Sequence, residues 1–185
     1  MTGKNLRSVY ALGLAGLMAF ASCDKVKDAI KVTVGATSSD ITFTIPVLEQ
    51  TGDATLGASQ VRLNIDSIIK SKDSRVGAKN IKSVTITRCT ITMLDGDTAN
   101  NFSALESCRV QLSSDVKPDV VTIAEITDNP DAEAYTLEIP VTNTELTGYF
   151  NSTYFNYTVS GKARKTTSKP LQCQATVSYD ITAGL

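Results

Sequence analysis

A chain of 185 residues is the length of one ordinary domain, and 42% apolar with 20% charged residues is the composition of a globular protein rather than a disordered one. Eighteen Lys/Arg against 19 Asp/Glu leave a formal net charge of −1, which excludes nucleic-acid binding by bulk positive charge. Histidine is absent, so Ser-His-Asp and Cys-His triads and all His-ligated metal and haem sites are excluded together.

Residues 1–22 read as an export signal. Lys4 and Arg7 supply a positive start, and Val9 to Ala21 carry no charge. As a helix that apolar stretch would be roughly 20 Å long, short of the ~30 Å hydrocarbon core of a bilayer. Small residues Ala21 and Ser22 follow, then Cys23. The arrangement resembles a bacterial lipobox, in which a diacylglycerol is attached to the cysteine and the signal is cut off before it. Phe20 stands where Leu is commonest in that motif. The alternative is plain secretion with cleavage near Ala21. On the lipobox reading, residues 23–29 form the lipidated Cys23 and a short polar tether, and residues 30–185 form a single domain.

The remainder reads as strands with turns between them. Val32–Val34 opens a short strand, and Ile41, Phe43, Ile45 and Val47 alternate with polar residues and Pro46. Val61, Leu63 and Ile65 alternate again, and Asp66-Ser67-Ile68-Ile69 predicts one helical turn with Asp66 as its N-cap. In the run from Ser83 to Leu94, Val84 and Ile86 have the opposite parity to Cys89, Ile91 and Met93. A bulge near Thr87-Arg88 restores them to one face. Further strands are expected around Cys108–Leu112, Val121–Ile126, Leu137–Val141 and Phe155–Val159. A further strand, the last in the chain, is the clearest, with Leu171, Cys173, Ala175, Val177, Tyr179 and Ile181 on one face. Turns fall at Gln50-Thr51-Gly52-Asp53, Asp95-Gly96-Asp97, Asp128-Asn129-Pro130-Asp131 and Ser160-Gly161-Lys162. Eight or nine short, half-buried strands without a long amphipathic helix predict an all-β antiparallel sandwich, immunoglobulin-like or related, with one or two short helical turns.

Candidate sites follow from residue type. Cys89 and Cys108 lie on consecutive strands and are the candidate disulfide, with Cys173 left as a buried thiol; three reduced core thiols are the alternative. Tyr149, Phe150 and Tyr154 belong to an aromatic segment that is a candidate ligand contact, set against ordinary core packing. Lys162, Arg164, Lys165 and Lys169 make a basic hairpin tip, a candidate contact for anionic headgroups or else a solvated turn. The run Asp95-Gly96-Asp97-Thr98-Ala99 begins like a calcium loop but lacks the later ligands, and Asp128, Asp131 and Glu133 form another acidic turn. No metal, cofactor or catalytic residue is assigned. Asp97-Thr98-Ala99 and Asp66-Ser67-Ile68 resemble the Asp-Ser/Thr-apolar acceptor of Bacteroides-type O-glycosylation, which makes Thr98 and Ser67 candidate modification sites.

The Ser22-Cys23 lipobox, the polar tether after it and the all-β body together resemble small cell-envelope lipoproteins of Bacteroidota, as does the run Asn100-Asn101-Phe102-Ser103-Ala104-Leu105-Glu106-Ser107. The resemblance implies an outer-membrane location, facing either the periplasm or the outside, with membrane attachment through the N-terminal lipid. It implies envelope proteins or glycans as partners and no nucleic acid; the oligomeric state stays open. The expected role is non-catalytic binding or structural support. A glycan-binding accessory or a fimbrial, adhesin-type subunit are the rivals.

Overall fold

The computed structural model describes residues 30–185, except for the side chains of Ser39 and Asp40. Its strands are β1 (Lys31–Ile45), β2 (Gly52–Arg62), β3 (Ile81–Met93), β4 (Leu105–Ser114), β5 (Val121–Ile126), β6 (Thr136–Glu138), β7 (Tyr154–Ala163) and β8 (Leu171–Gly184). One helix, α1 (Ile65–Lys70), and 3-10 turns at Ala78–Asn80, Phe102–Ala104 and Thr147–Tyr149 complete the regular structure. The strands form two four-stranded sheets, ordered β1-β8-β3-β6 and β2-β7-β4-β5, and every pairing is antiparallel.

The all-β sandwich is therefore present. β1 pairs with β8, β2 with β7, β3 with β6 and β4 with β5. This nesting is what a single long hairpin ribbon gives when its two halves wrap around a common core, the arrangement of an eight-stranded jelly roll. It differs from the four-plus-three division of an immunoglobulin constant domain.

β8 sets the register of its sheet. Leu171, Cys173, Ala175, Val177, Tyr179 and Ile181 are all buried, in unbroken alternation, as expected from the sequence. Both neighbours of β8 change parity against it. β3 shifts register between Ile86 and Arg88, which brings Val84 and Ile86 to the same face as Cys89, Ile91 and Met93. β1 shifts between Ser38 and Ile41, so that Val34 and Ala36 share the core with Ile41, Phe43 and Ile45. What reads as two short strands in the sequence is thus one strand with a bulge. β2 is also longer than its apolar pattern suggests, because Gly57 replaces an inward side chain. A Cβ at Gly57 would stand 2.5 Å from the Phe43 ring, so the missing side chain is what allows β2 to cross β1 closely.

Helix α1 is capped by Asn64, whose side chain accepts from the Ser67 N–H at 3.0 Å, and not by Asp66 as expected. Asp66 instead lies in the first turn. It pairs with Lys70 at 2.6 Å and accepts from the Ala78 N–H at 3.0 Å, tying α1 to the 3-10 turn that precedes β3. Pro46 falls just after β1, and Pro140 just after β6, where neither removes a ladder hydrogen bond. The Leu185 N–H donates to the Ile30 carbonyl at 3.1 Å, so the two limits of the described chain meet at one end of the sandwich.

Candidate functional site

The two ends of the sandwich differ in how their polar groups are used. One end holds the turns after β1, β3, β5 and β7. Here the basic segment at the end of β7 and just beyond it is engaged throughout. Lys162 pairs with Glu106 at 2.9 Å, and Lys165 pairs with Asp131. Lys169 reaches Asp97 at 2.9 Å and the Asp95 carbonyl at 2.8 Å. The Arg164 guanidinium donates to the carbonyls of Ser103 (3.3 Å) and Asn129 (2.5 Å) and lies 4.0 Å from Asp131. The candidate headgroup residues Lys162, Arg164, Lys165 and Lys169 are thus all partnered within the protein and clamp one turn onto its neighbours.

The acidic turns supply the other half of the clamp. Asp97 Oδ1 accepts from the Ala99 N–H (3.0 Å), the Asn100 N–H (2.9 Å) and Asn100 Nδ2 (2.9 Å). Hydrogen bonding from Lys169 and then Asn100 holds the Asp97 carboxyl down at about 2. Asp95 Oδ1 accepts from the Gln172 N–H at 2.8 Å. The oxygens that look like the start of a calcium loop are thus taken up by the turn, and no cluster of metal-ligating side chains occurs among the described residues. The run from Asn100 serves the same end. Asn100 is buried and accepts from the Ser168 N–H at 2.8 Å, while buried Asn129 donates to the carbonyls of Phe102 and Leu105, both at 2.8 Å. Sequence reasoning passed over Asn129, which looked like one residue of an ordinary turn. Thr98 is exposed at the tip of its turn, and Ser67 is exposed on α1.

The aromatic segment divides. Tyr149 and Phe150 are buried, with Phe150 fully so, and only Tyr154 is exposed, at 42%. Phe150 packs 5.1 Å from Phe155 and 4.9 Å, edge-on, from Tyr179. Tyr149 and Phe150 are core, so of the two readings set side by side for them core packing holds and the candidate ligand contact is corrected. Lys117 lies 4.6 Å over the Tyr149 ring and covers it from solvent. The cysteines are also core. Cys89, Cys108 and Cys173 are free and buried, and burial pushes each thiol up to about 12. The candidate bridge between Cys89 and Cys108 is not formed; the structure holds the alternative, three reduced core thiols on β3, β4 and β8.

The opposite end of the sandwich is open. A groove of about 650 Å³ runs between the end of β2, α1, the segment up to Asn80, and Asn151–Thr153. Its charged lining is Arg62, Asp66, Lys70, Arg75 and Lys79. Lys70 is engaged by Asp66, and Arg75 is engaged by Asp73 at 2.7 Å. Arg62 and Lys79 are exposed, with no salt bridge or hydrogen bond from their side chains among the described residues. Cys23 and the tether expected at residues 24–29 lie outside the described residues, but the described chain begins at this same end, where Lys31 pairs with Gly184.

No protein-family model matches the chain, and no curated protein does. Among solved structures, it is similar to that of infectious bursal disease virus Gx strain, at 15% identity over 97% of this chain and 40% of that one, with a TM-score of 0.36. The Gt strain structure gives 14% identity over 95% and 36%, with a TM-score of 0.38. The Desmodium yellow mottle tymovirus structure gives 11% identity over 98% and 97%, with a TM-score of 0.28. The chain spans well under half the length of the bursal disease virus chains. At TM-scores this low, neither family nor function follows from these likenesses.

Proposed function

We propose that this is a lipid-anchored cell-envelope protein of the outer membrane whose sandwich performs a non-catalytic binding or structural role. One observation carries the reading: Cys23 follows two small residues at the point where an apolar stretch, too short to span a bilayer, stops. The first described strand begins only a few residues later, at Lys31, which suits a short tether. The non-catalytic part rests on the sequence, which offers no histidine to act as base and no nucleophile beside a partner. Glycan binding through an aromatic platform loses support because Tyr149 and Phe150 are buried and Tyr154 stands alone. The exposed positions of Thr98 and Ser67 are compatible with O-glycosylation, which a mass shift abolished by Thr98→Ala or Ser67→Ala would register.

A single acyl chain holds a protein to a membrane only marginally, whereas two or three hold it essentially permanently, at ~0.8 kcal/mol per buried CH₂. The test is fractionation of expressing cells. The native protein is expected in the membrane fraction with a diacylglyceryl and N-acyl mass on Cys23. Cys23→Ala, or globomycin treatment, is expected to move the mature chain out of that fraction or leave it unprocessed. An unmodified Cys23 in membrane-bound protein overturns the anchor.

A further inference from the structure

The positive charge that is free to meet a partner is gathered at one end of the sandwich, among the described residues. Residues 62–82 carry Arg62, Lys70, Lys72, Arg75, Lys79 and Lys82 against only Asp66 and Asp73, in a chain whose formal net charge is −1. Both carboxylates are already engaged, by Lys70 and Arg75. Arg62, Lys72, Lys79 and Lys82 are exposed, and their side chains make no salt bridge or hydrogen bond among the described residues. Lys31, also exposed, opens β1 beside them, where its strand runs next to the Ile81–Ala183 pairing of β3 and β8. The neighbouring part of the same end is different: Asp115 and Asp119 flank Lys117 in the β4–β5 turn, and Glu145 lies nearby before the third 3-10 turn. The cationic area is therefore a patch beneath β1, β3 and α1 rather than the whole end.

The length of the tether says which end faces the membrane. From Cys23 to Lys31 even a fully extended chain reaches no more than about 29 Å, at ~3.3–3.6 Å per residue. β1, with 15 residues, is about 50 Å long at ~3.3 Å per residue. A lipid on Cys23 thus keeps the end where β1 starts nearer the bilayer than the clamped end. We propose that the patch formed by Arg62, Lys72, Lys79 and Lys82 sits against the anionic phospholipid headgroups of the membrane that holds Cys23, and so orients the sandwich with its clamped turns outward. This rests on the anchored reading above for its geometry. The opposing end cannot substitute, since its cations are committed to Glu106, Asp131 and Asp97.

The test separates the patch from the lipid. The chain from residue 23 onward, with Cys23→Ser, contains the whole described core and is sedimented with phosphatidylcholine vesicles, with and without phosphatidylglycerol. It is expected to partition onto the phosphatidylglycerol vesicles at low salt and to leave them as salt is raised. Each lysine near such a surface is worth about a five-fold change in partitioning, so Lys72→Gln with Lys79→Gln and Lys82→Gln should weaken it on the order of a hundred-fold. Lys165→Gln with Lys169→Gln should leave it unchanged, with circular dichroism confirming the fold of both variants. Equal partitioning on the two vesicle types, or an equal loss in the two variants, overturns the patch even if native Cys23 carries its acyl groups. A native Cys23 without acyl groups overturns the anchor, and the vesicle result then decides the patch by itself.

Discussion

Tyr157 and Tyr179 show how single residues join the two sheets. They lie on β7 and β8, the strands that run through the interior of their respective sheets, and their hydroxyls meet at 2.7 Å in the core. Burial drives both phenols upward, so both stay neutral; for Tyr157 the contacts with Tyr179 and Ser38 offset part of the effect. Ser38 is close enough to contribute, although its buried Oγ makes no hydrogen bond of full geometry. A lone buried hydroxyl costs about 1–3 kcal/mol, whereas removing both members of a pair can be nearly neutral. Tyr179→Phe is therefore expected to lower the unfolding free energy by about that amount, and Tyr157→Phe/Tyr179→Phe by less than the two single changes together. A double-mutant cycle in urea measures it, and additive losses would show that the pair has no coupling. The inward direction of both tyrosines was legible from alternation. Their meeting was not, because it depends on how two sheets face each other. Tyr149 and Phe150 were illegible for a simpler reason: they sit in and just after a 3-10 turn, where the period-two rule has nothing to say.

At the scale of elements, the turn after β7 is held by charge. The Asp97 carboxyl, kept at about 2 by Lys169 and Asn100, titrates near 3.9 in an unfolded chain. A folded value below the unfolded one stabilises the native state fully above about pH 4, and that contribution disappears as the pH falls through about 2. Asp73, held at about 2 by Arg75, adds to the same limb. Melting temperature measured against pH should fall over that window. Asp97→Asn should lower it at neutral pH and flatten its acid decline; an unaltered decline would show that the turn is held by other contacts. The turns themselves were readable from their Asp, Asn and Gly content. The partners of the basic residues were not, since Lys162 and Glu106, or Lys169 and Asp97, are brought together only by the pairing of distant strands. The bulge in β3 could be read from a change of parity within one apolar run. The equivalent bulge in β1 was hidden, because small and polar residues from Gly35 to Asp40 resemble a loop.

Across the whole molecule, strand number and core face were written in the sequence, but the order of strands in the sheets was not. Alternation says which side of a strand is buried and nothing about its neighbour. The nested pairing places β1 against β8, so the first and last strands must find each other across the entire domain, a topology that folds slowly compared with local hairpins. The same pairing brings Ile30 and Leu185 within one hydrogen bond of each other. A domain whose described limits already touch is close to a closed ring, and a ring can be opened elsewhere. A circular permutant that joins Leu185 to Ile30 through a short glycine linker and begins at Val120, on the exposed turn between β4 and β5, should recover the parent's circular dichroism and cooperative melting. Failure to fold would mean that the order in which the strands are made, and not only their final neighbours, decides the outcome.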